Sequence, residues 1–409
     1  MDEIIAGLEK AGFAGEHDNS PATLDLYSHD ASMFELRPKL VVEPKDAKDI
    51  EKLVKLVGDN KKKNSHLSLT ARSAGTDMSG GAINDSIIVD FRTHFTKIEK
   101  VTATTAQAQP GVLYREFEPE TLKHKALMPT YPASRDLASI GGMVNNNSGG
   151  EKSLEFGKTE DFVTELSFIF ADGVERTVKP LKKAELDKKM KQKDFEGEVY
   201  RKLFKLVDTN YDLIKGAKPH VTKNSTGYNL WDVWDREKGI FDLTKLIVGA
   251  QGTLGFVTDI HFRLVPARPH SGLLVLFMKN IDDLGEVVPK VLESKPATFE
   301  SFDDATLRLS IRFMPSFLKI LGWKRFIHLL ITLIPDGVQL LRGIPKLILM
   351  VEFNGETEQE VRTKVHALHS ELSKHRARYE INGFEEDPSE GKSEKFWIMR
   401  RYSFQLLRS

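Results

Sequence analysis

The chain has 409 residues, 40% of them hydrophobic and 29% charged, with 59 Lys and Arg balanced by 59 Asp and Glu. A length beyond about 250 to 300 residues makes two domains the expectation, and a formal net charge of zero leaves no electrostatic footprint for nucleic acid. The absence of Cys excludes disulfides, thiolate zinc sites and cysteine-ligated iron–sulfur clusters, so redox chemistry would need a bound cofactor. The first ten residues carry Asp2, Glu3 and Glu9 and lack a basic-then-apolar signal layout, which predicts an amphipathic helix of a cytoplasmic protein. From Val41 the chain reads as a strand end, then Asp46 as a helix N-cap, then Ala47, Ile50, Leu53, Val54 and Val57 at helical spacing. His66 to Thr70 and Ser86 to Phe91 read as strands, with a loop of no helical pattern between them. Further strand signals over Lys97 to Gln109, Phe162 to Phe170 and Val174 to Lys179 give more strands than helices, which predicts an α+β fold. The Lys-, Asp- and Glu-rich stretch from Leu181 to Glu198 reads as a solvated loop or frayed helix, and helical periodicity resumes over Val199 to Ile214.

After two strand-like runs, Leu246 to Val248 and Gly255 to Leu264, Pro266-Ala267-Arg268-Pro269 punctuates the chain and sets the expected boundary between domains 1–266 and 267–409. Beyond it the pattern predicts a strand over Leu273 to Met278, a helix over Leu284 to Leu292 opened by Asp282, and a strand around Thr298 to Phe302. A strand over Lys346 to Phe353 then leads into a helix from Thr357 to His375, where Thr357 and Glu360 have capping-box spacing. The second domain thus repeats a strand-helix-strand unit. Between them, Phe313, Phe317, Leu321, Trp323, Phe326 and Leu330 alternate with Arg312, Lys319, Lys324 and Arg325. The apolar run Phe326 to Pro335 is about half of what a spanning helix needs, so the stretch from Arg312 to Leu341 reads as a buried cap helix, with a helix lying on a membrane surface as the alternative.

Three glycine-rich segments carry the functional signal. Ala71-Arg72-Ser73-Ala74-Gly75-Thr76-Asp77-Met78-Ser79-Gly80-Gly81 follows a strand, and its glycines let several N–H groups turn into one concavity, as a phosphate needs. It lacks the Gly-Lys-Ser/Thr of a Walker loop and precedes no dinucleotide-binding helix. Pro129 to Gly150 holds Pro132-Ala133-Ser134, Ser139-Ile140-Gly141-Gly142 and Asn145-Asn146-Asn147-Ser148-Gly149-Gly150, a density of Gly, Asn and Ser suited to backbone wrapping a polar ligand. Ile247 to Thr258 places Gly249, Gly252 and Gly255 inside an otherwise apolar run, which implies close approach of another flat object.

In this order and at these separations the three segments resemble the FAD-binding domain of the vanillyl-alcohol oxidase and p-cresol methylhydroxylase flavoproteins, closest to the branch of D-lactate dehydrogenase and glycolate oxidase. Lys223-Asn224-Ser225-Thr226-Gly227-Tyr228-Asn229-Leu230 looks like another family stretch. Two small residues, Ser73 and Ala74, replace family glycines, and Gln251 stands where the family usually has Glu. The resemblance implies a two-part FAD-binding domain, its core over about residues 36–266, followed by a substrate cap on an antiparallel sheet. It implies FAD contacts from Arg72, Ser73, Ala74, Gly75, Thr76, Asp77, Ser79, Pro132, Ser134, Ser139, Ile140, Gly141, Gly142, Asn146, Ser148, Gly149, Gly252, Gly255 and Val257. The first loop has no histidine for a covalent link, so FAD is expected to be held non-covalently.

The stretch Lys395 to Arg401 resembles the family's Trp-x-x-Arg motif and makes Arg400 the expected ligand of a substrate carboxylate. The implied reaction oxidises a small D-2-hydroxy acid to the 2-oxo acid, with a quinone, a cytochrome, an electron-transfer flavoprotein or oxygen as electron acceptor. The family's later His-x-Gly-Asp-Gly-Asn-x-His segment has no counterpart before Ser409, so the cap is expected to be incomplete and no catalytic base is assigned. The alternative expectation is therefore an FAD-binding subunit or truncated chain completed by a partner chain, with contact to the inner face of the membrane as a further option. His366, His369 and His375 read as solvated surface, and no metal site is expected.

Overall fold

The computed structural model describes residues 1–221, 224–225, 227–314, 318, 322–324, 326–327, 329–331, 343–387 and 395–400. It divides into two compact units, one of residues 1–150 with 157–267, the other of 151–156 with 268–409. The short helix Ser153–Phe156 thus belongs with the later part of the chain, where Arg268 pairs with Glu155 at 2.5 Å.

In the first unit, Leu40–Glu43 runs parallel to Ile87–Asp90, which runs parallel to Leu69–Arg72, and Glu16–Asp18 closes the other edge antiparallel. The helix Ala47–Asn60 starts where expected because the Asp46 carboxylate accepts the N–H of Asp49, satisfying one of the orphan donors of the first turn. Its apolar stripe of Ile50, Leu53, Val54 and Val57 meets Leu40, Val42, Ile87 and Val89 from the sheet, and each such side chain contributes about 1.5–3 kcal/mol by leaving water. A second sheet is antiparallel throughout, in the order Ile98–Glu99, Thr105–Ala108, Phe256–Arg263, Val163–Ile169 and Glu175–Val178. Ile169 and Phe256 from it join the core of the first sheet.

Of two local expectations, one, a solvated loop or frayed helix, is met in its helical alternative, and the other fails. The stretch from Leu181 to Glu198 is ordered as the helix Lys183–Lys191 and the first turn of Phe195–Thr209, because Leu186 is fully buried and the Asp194 carboxylate caps the second helix at Gly197. A single buried leucine among charges gives no visible period. Leu246 and Ile247 end a short helix, Thr244–Ile247, rather than opening a strand.

The second unit is built on one antiparallel sheet ordered Thr298–Asp303, Leu347–Gly355, His270–Met278 and Ile381–Asp387. Two strand-helix-strand passes make it, and the inner strand His270–Met278 alternates sides as the pleat requires. Leu274, Leu276 and Met278 pack under the helices Leu284–Glu293 and Glu358–Lys374, whereas Leu273, Val275 and Phe277 meet Phe396, Trp397 and Met399. At the start of the longer helix Thr357 accepts the Glu360 N–H at 3.2 Å, but the Glu360 carboxylate takes the N–H of Glu356, so the box closes one residue early.

Of the basic-apolar insert, Phe317, Lys319, Leu321, Arg325 and the run from Thr332 to Leu341 lie outside the described residues. Within them, Leu329 is buried against Ile398 with Phe313 and Phe326 beside it, while Trp323 and Ile331 are exposed. No helix of the described residues is long and apolar enough to cross a membrane.

Candidate functional site

The first glycine-rich loop leaves the C-terminal end of the half-buried strand Leu69–Arg72. The Arg72 guanidinium lies 5.0 Å from the centre of the Tyr27 ring and donates to the carbonyls of Tyr27 at 3.3 Å and Ala82 at 3.4 Å, bracing both ends of the loop. Beneath it the Tyr27 hydroxyl donates to Asp90 at 2.7 Å. Burial pushes the Asp90 carboxyl up from the ordinary carboxylate range and the Tyr27 hydroxyl up from that of a phenol. Gly75, at φ +62°, and Gly80, at φ +84°, take the chain through left-handed turns. Asp77 accepts from Ser79 Oγ and, at 3.2 Å, from the Gly81 N–H, which folds the loop tip onto itself. Among the described residues, no protein acceptor meets the N–H groups of residues 73–80.

The second segment is anchored to Pro110, whose carbonyl accepts Ser73 Oγ at 3.2 Å and the Gly141 N–H at 2.8 Å. A Cβ on Gly141 would stand 2.4 Å from the Pro110 ring, so this glycine is required by close packing of the chain on itself. Ser139 caps the helix Ile140–Asn145 by accepting from Gly142, and Asn146 and Ser148 meet at 3.3 Å just beyond it. Pro132 and Ser134 lie in a tight turn in which their carbonyls accept the N–H groups of Arg135 and Ala138.

The third segment is bonded to the second. The N–H groups of Gly249 and Gln251 donate to Val144 and Asn145, and Gln251 Nε2 donates to Asn146 Oδ1 at 3.0 Å. A Cβ on Gly81 would be 3.4 Å from the Gln251 amide oxygen, and one on Gly252 would be 3.9 Å from Ala71, so all three segments converge on one concavity. Gly255 behaves differently. At φ +152°, its Cβ would stand 2.3 Å from the Ile169 carbonyl, so its identity is fixed by the neighbouring strand. Val257 is buried opposite Phe168 and offers a ligand only its backbone.

Sequence reasoning missed Pro110 and a polar cluster beside the concavity. The Glu160 carboxylate accepts from Asn147 at 2.9 Å and Asn229 at 2.7 Å, while the buried Lys158 donates to the Asn224 carbonyl at 2.8 Å. These residues, with Asn146 and Gly249, line a cavity of about 220 Å³. The Gln109-Pro110-Gly111 turn was a signal for the first; the second rests on contacts across 66 and 69 residues that no local pattern carries. Of the fourth family-like stretch, Lys223 and Thr226 lie outside the described residues, and Tyr228 meets Thr253 at 2.8 Å. In the second unit, Arg400 donates to Glu300 at 3.1 Å and is partly exposed.

Unsatisfied N–H groups on a glycine-turned loop suit a pyrophosphate, and the flanking glycine segments suit a flat ring system laid along the backbone, so the residues present fit an FAD molecule. Residues 38–179 match the family model described as FAD binding domain, so this part of the chain is an FAD-binding domain. The p-cresol methylhydroxylase structure superposes with a TM-score of 0.63 over 99% of this chain and 71% of its own, at 13% identity, which shows the fold. By sequence, the chain is 27% identical to the D-2-hydroxyglutarate dehydrogenase of Pseudomonas putida over 368 residues, 89% of this chain and 35% of that protein. It is 26% identical to the glycolate oxidase subunit GlcD of Bacillus subtilis over 71% of this chain and 51% of that one. The chain therefore spans about a third to a half of the length of these curated relatives.

Proposed function

We propose that the chain is an FAD-dependent oxidoreductase that oxidises a D-2-hydroxy acid, of the lactate, glycolate or 2-hydroxyglutarate kind, to the 2-oxo acid. The observation that carries the reading is the loop of residues 73–80, whose N–H groups meet no protein acceptor among the described residues, joined through Pro110 and Gln251 to the two other glycine-rich segments. In this reading that loop, with Arg72 bracing it, holds the pyrophosphate, and the segments around Pro132 to Ser134, Ser139 to Gly149 and Gly252 follow the rest of the cofactor. FAD supplies hydride acceptance at its N5 when bound. The chain's own part is to orient the acid, keep water out and clamp its carboxylate, for which a guanidinium with a planar fork of donors is suited. Arg400 is the residue proposed for that clamp, and Glu300, its present partner, would keep the fork oriented between turnovers.

A second reading is an FAD-binding subunit whose catalysis needs residues outside these 409, and it is supported by the limited share of the relatives' length that the chain spans. The electron acceptor would be met by the same cofactor in either case. Anaerobic titration of the purified flavoprotein with D-lactate, glycolate and D-2-hydroxyglutarate separates the two: bleaching of the flavin band by one acid supports the enzyme, and a flavin indifferent to all three supports the subunit. A chain that binds no FAD on reconstitution refutes both.

A further inference from the structure

The helix Glu358–Lys374 of the second unit carries His366 and His369 three residues apart, so their imidazoles share one face. That face looks onto Ile381–Asp387, the strand at the edge of the sheet. The pleat puts Phe384 and Glu386 on the helix side, where the Phe384 ring lies 4.5 Å from the His369 ring. Both Nδ1 atoms are aimed at the same oxygen, Glu386 Oε1, with His366 at 3.3 Å and His369 closer. The three donor atoms lie within 4.8 Å of one another, and among the described residues no Lys or Arg pairs with Glu386.

We propose that His366, His369 and Glu386 form a binding site for a divalent transition-metal ion of the Zn²⁺ class. Two imidazole nitrogens and one carboxylate oxygen are a donor set for zinc, nickel or copper, whereas magnesium and calcium prefer oxygen alone. An ion about 2.0–2.2 Å from each donor requires those donors to stand roughly 3.3–3.5 Å apart, a change that the imidazoles can make by side-chain rotation. His366 has the freedom to do so, its side chain being 74% exposed, and the same exposure gives the ion its entry path and leaves a fourth position open to water. Binding through Nδ1 requires each ring to carry its proton on Nε2. The ion then replaces two hydrogen bonds that compete for one oxygen, and it ties the helix to the edge strand. This site is separate from the FAD-binding loops and does not depend on the proposed reaction.

The test is to strip the FAD-loaded full chain of metal with a chelator and titrate it with ZnCl₂, following bound metal and the thermal midpoint. Parallel titrations use His366→Ala, Glu386→Gln and the double variant His366→Ala/His369→Ala. His366→Ala leaves an exposed position, so its metal-free midpoint should equal the parent's and vouch for its fold. The expected result is one tight ion in the parent with a raised midpoint. Affinity should fall by at least about 10-fold for each ligand removed, since even the outer partners of metal ligands cost about 10- to 100-fold. No zinc uptake by the parent, or undiminished uptake by the double variant, overturns the proposal, the latter by placing the ion on other histidines.

Discussion

Tyr27→Phe removes a single oxygen from beneath the first glycine-rich loop and separates two roles of that residue. The hydroxyl donates to Asp90, which is only 4% exposed and also accepts the N–H of Arg92, so the substitution takes one of two donors from a buried carboxylate. A hydrogen bond to a charged acceptor contributes about 1.5–3 kcal/mol, and a buried setting places this one near 2 kcal/mol. The ring and the Tyr27 carbonyl stay, so Arg72 keeps both of its contacts and FAD affinity should change by less than about threefold. The pH dependence has a definite sign. Burial raises the Asp90 carboxyl in the folded protein above its unfolded value, so its ionic penalty sets in as pH rises through the folded value. The Tyr27 hydroxyl supports the ionised form, so the cost of Tyr27→Phe should be greatest above the folded value of Asp90 and shrink as pH falls through it. Urea unfolding at fixed FAD concentration, followed by flavin release, reads the first unit directly. A variant as stable as the parent, or a cost that does not change with pH, would refute the assignment of Asp90 as a buried carboxylate dependent on Tyr27.

Gly255→Ala should cost at least about 3 kcal/mol, because it combines a left-handed backbone angle with a Cβ 2.3 Å from a carbonyl oxygen, and it should show as a lower thermal midpoint and lost flavin. Arg400→Lys should lower kcat/KM for the responsive hydroxy acid by about 30-fold or more, with flavin content unchanged, since a point charge replaces a fork; equal kinetics would dismiss the clamp. Asp259 is raised by burial to about 6, with His261 3.4 Å away. Asp259→Asn should therefore stabilise the chain at neutral pH by ~1 kcal/mol after solvent screening, a gain that disappears as pH falls from about 6 towards the ordinary carboxylate value; chemical denaturation across that window checks it.

What could be read in advance was what neighbouring residues decide. Asp46 followed by Ile50, Leu53, Val54 and Val57 gave a capped amphipathic helix, and all four apolar side chains are buried. The glycines of the loops were legible because a positive φ is a property of one residue, as at Gly75, Gly80, Gly249 and Gly252. Why each glycine is there was not legible: Gly141 answers to Pro110 and Gly255 to Ile169, partners far along the chain. The same distance hid Glu160 with Asn229, and Glu386 with the two histidines. The helix at Lys183–Lys191 was legible only as one of two alternatives, a solvated loop or a frayed helix, because one buried leucine is too little pattern to see above a run of charge.

The passage of residues 151–156 into the second unit and back again makes the two units unlike beads on a string. The polypeptide crosses between them three times, after Gly150, after Phe156 and after Ala267, so a nick at the last crossing separates residues 268–409 from residues 151–156 of the same unit. A fragment ending at Ala267 would keep the Ser153–Phe156 helix but strip it of Arg268, its ion-pair partner. The point at which the sequence looks most divisible is therefore a poor place to cut, because the later unit draws residues from both sides of it.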